Sequence, residues 1–180
     1  MQPLQPEQAT FLLNTIYLPS LKNEHRITKS IIDAIPSDKC DYRHDNICKS
    51  ALELAWHIAS AEMMFMDAVA NGAFDFSSMG RPNSVKNSTE VADWYEKNFH
   101  QRFDRLGTLT NEQLTKILDF RGVAQLPAVM YLNFALNHSI HHRGQLSTYL
   151  RPMGAKVPII YGESYDSAQA RKGAQQASTI

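Results

Sequence analysis

The chain has 180 residues, with Lys+Arg 18 against Asp+Glu 18 and 20% charged residues. That length allows one domain with a full core and falls short of two. A net charge of zero gives no reason to expect a polyanionic partner, so nucleic acid and acidic membrane surfaces are not predicted.

The opening residues, Met1 to Glu7, have no basic stretch and no apolar stretch, so no secretory signal is expected. The first helical region runs from about Pro6 to Ala34, with Pro19 expected to kink or break it and Pro36 closing it. Residues 37–47 are polar and loop-like. They contain Cys40, which together with Cys48 fits neither a CxxC nor a zinc-ribbon spacing; two free thiols in a reducing compartment are expected.

The second helix is predicted from about Lys49 to Ala70, ending at Asn71-Gly72. It is apolar nearly all round, so it should lie deep in the domain. A long loop follows over 72–87. The third helix starts near Asn87, with Glu90 placed as in a capping box, and Ala92, Tyr95, Phe99, Phe103 and Leu106 form its inward stripe up to Gly107. Residues 115–121 suggest a short strand or an extended connection. The fourth helix runs from about Leu126 to Leu150 and stops at Pro152 and Gly154. The domain is expected to occupy residues 1–165, with a tail over 166–180 that is mobile or lies along the surface. No run of about 18 uninterrupted apolar residues exists to span a bilayer, and the cytoplasm is the default location. Four long helices with short or medium connections argue for an all-α bundle.

The chemistry concentrates in residues 137–145, NHSIHHRGQ. At about 100° per residue, His142 lies about 40° from His138 and one turn along, so both imidazoles project from one face. That face continues through Pro127, Tyr131, Phe134, Gln145 and Tyr149, the stripe a bundle helix turns toward its core. Polar groups buried there without partners would cost on the order of 1–3 kcal/mol each. A divalent cation compensates well, because neutral imidazole is a favoured ligand for Zn, Ni and Fe. His57, midway along the apolar second helix, is the natural third ligand. Three protein ligands leave a position for water or substrate. Each piece also has a plain structural alternative: a hydrogen-bonded core His at 57, and a His-x-x-x-His pair with no ion. His141 is expected to face solvent or a neighbouring helix. His25, His44 and His100 lack a partner pattern and read as surface residues. Glu62 could steady an imidazole or be an ordinary helix-face charge.

His57 and Glu62 in an apolar second helix, then NHSIHHRGQ and the run YLRPMGAKVPIIYGES over 149–164, resemble the DinB-like family of bacterial helical-bundle proteins. The resemblance covers about residues 8–165. It implies a four-helix bundle of up-down-down-up topology, usually a homodimer. It also implies a divalent ion, most often Zn or Ni with Fe or Mn as alternatives, on His57, His138 and His142. Relatives in the wider superfamily are thiol-dependent S-transferases and a thiol-dependent isomerase.

The functional expectation is therefore a metal-dependent enzyme of transferase or hydrolase type, with a low-molecular-weight thiol or water as nucleophile. Tyr131, Gln145 and Tyr149 are candidates to hydrogen-bond substrate or water, and core packing accounts for them equally well. A non-catalytic metal or small-ligand carrier induced under stress is the alternative. A third reading is an interaction protein whose histidines are a remnant. Arg143 is expected to fix a contact between helices or subunits, and Gly144 to permit close helix approach.

Overall fold

A computed structural model describes residues 3–177, the side chain of Ser78 apart. The chain is α-helical for most of its length. It begins with α1 (Pro6–Phe11), which runs through a π-helical stretch over Leu12–Tyr17 into α2 (Leu18–Asp33). Pro19 does not break this helix. It sits in the first turn of α2, directly after the wider π turn, where the Leu18 amide bonds the carbonyl of Leu13. The missing proline amide and the ring clash are absorbed by that bulge.

α3 (Ala51–Asn71) is capped by Ser50, whose hydroxyl accepts from the Glu53 amide at 3.2 Å while Glu53 accepts from the Ser50 amide at 2.8 Å. Gly72 ends it in the left-handed conformation at φ 71°. α4 (Ser88–Leu106) is capped by Asn87, but Glu90 bonds the Lys86 amide rather than closing the expected box. After a short α5 (Asn111–Thr115) comes an antiparallel hairpin, β1 (Ile117–Phe120) with β2 (Ala124–Pro127). Arg121 and Gly122 both take positive φ at its turn, 54° and 71°.

Leu126 and Pro127 therefore belong to a strand, not to the fourth helix as expected. A 3-10 turn over Ala128–Met130 leads into α6 (Tyr131–Leu150). The hairpin is held by Tyr131, whose hydroxyl lies 3.0 Å from the Leu118 carbonyl and 2.8 Å from that of Ala124. The region expected to be a tail forms α7 (Tyr165–Ala177), none of it buried, tethered by ion pairs from Arg151 to Asp166 and from Arg171 to Glu163.

Four helices form the core. α3 packs against α4 and α6, and α2 packs against the same two, so α2 and α3 stand diagonally across the bundle. The nearly all-apolar α3 buries seventeen of its residues, as its composition requires. Buried ionic groups clip α2 to α6: Arg143 meets the Glu24 carboxylate at 2.6 Å, and Tyr161 from the C-terminal run donates to the same carboxylate at 2.8 Å. Arg143 thus makes a contact between helices. Gly144 is exposed, and a Cβ there would meet nothing within 4 Å, so it does not serve close helix approach. Among the described residues, no helix is long and apolar enough to cross a membrane.

Candidate metal centre

α3 and α6 make the most extensive helix pair in the molecule, and the three histidines sit on their facing sides. His57 lies in the second turn of α3; His138 and His142 lie one turn apart on α6. The Nε2 of His57 is 3.0 Å from that of His138 and 3.3 Å from that of His142. All three ligand atoms lie within 4.8 Å of one another. The rings stand edge to face, at 64° to 80°, so their nitrogens converge while the ring bodies diverge.

This spacing suits a cation better than it suits hydrogen bonding among the rings. Each neutral imidazole nitrogen carries either a proton or a lone pair. The Nε2 of His57 takes part in two short contacts, and a single N–H can donate to only one of them. Three nitrogens each about 2.0–2.1 Å from a common ion in tetrahedral geometry would stand about 3.3–3.4 Å apart. The His57–His142 separation of 3.3 Å matches that spacing, the His57–His138 one of 3.0 Å is somewhat shorter, and the third pair lies within 4.8 Å.

Burial keeps the His57 and His138 rings neutral, and a hydrogen bond aims that of His142. Burial lowers the pKa of His138 to about 4, reinforced by its histidine neighbours. Burial also lowers that of His57, reinforced by the charges of His142 and Lys49. A neutral ring retains the lone pair that a metal needs. Gln145 Oε1 lies 3.1 Å from Nδ1 of His142, so Nδ1 carries the proton and Nε2 offers its lone pair toward the centre. Gln145 thus contacts an imidazole directly and positions it; hydrogen bonding to substrate or water was one of the two roles expected for it. The Nδ1 of His138 is buried with no hydrogen-bond partner among the described residues.

The histidine face is not the middle of the core stripe, as the periodicity suggested. The buried positions of α6 are led by Leu132, Ala135, Ser139, Arg143, Leu146 and Leu150. His138 and His142 flank that line at half burial, and Phe134 is exposed. A helix that packs on two neighbours buries a wide arc, and the imidazoles occupy its edge, where the bundle opens.

Several other side chains differ from expectation. Glu62 touches no imidazole. It is 140° around α3 from His57 at about 100° per residue, and it accepts from Ser139 Oγ at 2.6 Å inside the core. Burial pushes its pKa up to about 7. Tyr131 is committed to the hairpin, and Tyr149 is buried with its hydroxyl on the Lys49 carbonyl at 3.2 Å. His25 is buried, not exposed: it stacks on Phe99 at 3.8 Å and meets Glu96 at 3.1 Å, with its pKa lowered to about 4 by burial. His44, His100 and His141 are exposed. Both cysteines are free.

A cleft of about 660 Å³ opens beside His57, walled by the loop before α3 and the 3-10 turn over Ser77–Met79. Sequence reasoning passed over it, because residues 43–49 and 79–81 carry no motif and meet only in the fold.

Comparison with known proteins gives a consistent answer. The family model described as "DinB family" matches residues 9–176. Two Bacillus subtilis proteins are similar in sequence. YjoA is 28% identical over 134 residues, covering 72% of this chain and 84% of its own length. YrdA is 26% identical over 148 residues, covering 81% and 86%. Among solved structures, the DinB-like YjoA superposes with a TM-score of 0.68 at 23% identity, over 82% of this chain and 99% of that one. A DinB-like protein of Bacillus cereus superposes with a TM-score of 0.68 at 24% identity, over 81% and 95%. At these identities the two superpositions speak for the fold alone.

Proposed function

The chain belongs to the DinB family, and on that premise we propose that it binds a divalent metal ion, Zn or Ni first among the choices, through His57, His138 and His142 and uses it in a transferase or hydrolase reaction. The observation that carries this reading is the convergence of three Nε2 atoms from two helices, at 3.0 Å and 3.3 Å for the two short pairs.

When bound, such an ion lowers the pKa of a thiol or water brought to it, so that a nucleophile is available near neutral pH. The chain's own residues do the rest. His57 and His138 enter neutral, because burial resists their protonation. Gln145 fixes the ring of His142. His57, His138 and His142 would hold such an ion, and His57 also lines the adjacent cleft from which a substrate would approach. The apolar walls of α3 and α6 limit access of bulk water from behind. A low-molecular-weight thiol is the co-substrate that this arrangement and the family suit.

Elemental analysis of protein purified without an affinity tag tests the reading. One equivalent of a divalent metal, lost in His142→Ala together with turnover of a thiol and an electrophile, is the expected result. Metal-free protein that neither takes up Zn or Ni nor changes its melting temperature with chelator would end it. Stoichiometric metal with no turnover across thiols and electrophiles would instead leave a metal carrier.

A further inference from the structure

The cleft beside His57 is charged in a way the metal reading does not require. Arg43, Lys49 and Arg81 line it against a single carboxylate, Glu53. Glu53 is already engaged: Arg43 holds it at 3.0 Å and the Ser50 amide donates to it. Arg43 is further tied to the Cys48 carbonyl at 2.7 Å, so that pair forms a fixed wall. Lys49 and Arg81 have no ion pair among the described residues. Two uncompensated cations therefore face a cavity that ends at a ligand of the metal centre.

The rest of the lining mixes Ile47, Cys48, Trp56 and Met79 with the polar His57 and Ser60, and part of it is held in place. The Trp56 indole donates to the Met79 carbonyl at 2.9 Å, fixing the loop that carries Arg81 against α3. Ile47, 96% exposed, stands on the same cleft. A volume of about 660 Å³ falls within the range of small-molecule sites, and the charged residues in its lining suit a small charged ligand.

We propose that this cleft is a subsite for a small organic anion, a carboxylate- or phosphate-bearing molecule, held by Lys49 and Arg81. Its anionic head meets the two cations, and its other end reaches His57 past Trp56 and Met79. That this anion is the substrate rests on the metal reading; that it binds does not. An Arg fork takes carboxylate and phosphate alike, whereas the lysine supplies a point charge.

Cys48, which lines the cleft, supplies a built-in reporter. Its thiolate displaces iodide from iodoacetate or from iodoacetamide, forming an S–C bond and releasing the thiol proton to solvent. Both reagents need the same thiolate, so the ratio of their rates cancels the thiol's own pKa and reports only the charge around it. Rates at Cys48 are read by mass spectrometry in the presence of chelator, with N-acetylcysteine amide as the uncharged reference and buried Cys40 as an internal control. The iodoacetate-to-iodoacetamide ratio should exceed that of K49A/R81A by roughly fivefold and fall with added salt, a comparison that cancels the charge of Asp45, which accepts from the Cys48 amide at 2.9 Å. Succinate or inorganic phosphate should slow the reaction, and whichever competes better names the head group. A ratio unchanged in K49A/R81A, or no protection by either anion, overturns the proposal. If Cys48 resists alkylation, succinate titrated against amide NMR signals decides: saturating shifts at residues 49 and 81 support the subsite, and none at millimolar succinate overturns it. Chelator is present throughout, so failure of the metal reading leaves these outcomes intact.

Discussion

Glu62 sits 1% exposed between α3, α4 and α6, with Tyr95 beside it, one carboxylate oxygen on Ser139 and the other making no hydrogen bond of ordinary geometry among the described residues. Replacing it with Gln keeps the shape and the acceptor for Ser139 and removes the charge. Burial raises the Glu62 pKa from 4.5 to about 7. The folded state therefore holds its proton more tightly than the unfolded chain. The stability from that proton is fully present below about pH 4.5 and is lost as pH rises through about 7. A shift of this size is worth about 3 kcal/mol at pH 8, of which less than about 1 kcal/mol has been lost by pH 5. Urea unfolding of wild type and Glu62→Gln at both pH values measures it. The advantage of the variant should grow by about 2–3 kcal/mol from pH 5 to pH 8. Taking the difference between proteins removes the opposite trend from His25 and His138, whose depressed pKa values destabilise the fold as pH falls. An advantage that does not change with pH would refute the picture of an ionisable group stranded in the core.

Other outcomes follow from the same structure. Arg143→Met leaves the Glu24 carboxylate buried without its guanidinium, and should cost about 3–5 kcal/mol by thermal or urea unfolding. Much of that loss should return in R143M/E24M, where the orphan charge is gone. His142→Ala should abolish stoichiometric metal, whereas His141→Ala, at an exposed ring outside the converging trio, should leave it unchanged by elemental analysis. Gln145→Ala frees the His142 ring without removing a ligand, and should weaken metal affinity by roughly 10- to 100-fold in a competition titration. Equal affinity in wild type and Gln145→Ala would mean that packing alone orients the ring.

The features written in single positions were legible before any coordinates. Asn71-Gly72 stops α3, Asn87 starts α4, and Pro152 follows the end of α6, because caps and breakers act within a few residues. The four-residue spacing of His138 and His142 put both rings on one face by helical geometry alone. The apolar girth of α3 announced a central helix. The family followed from short strings around those histidines.

What depends on which element faces which was not legible. Periodicity placed the histidine stripe toward the core, yet α6 packs on both α2 and α3, and the buried arc that results pushes the imidazoles to its rim. His25 looked like a surface residue because its partners, Phe99 and Glu96, stand on α4, far along the chain. Glu62 looked like a neighbour of His57 in sequence, but its partner is Ser139 on another helix. The cations of the cleft come from two loops with no pattern of their own. Spacing along one helix fixes direction, and the sequence states it. The meeting of groups from separate elements depends on packing summed over the whole core, which only the folded chain decides.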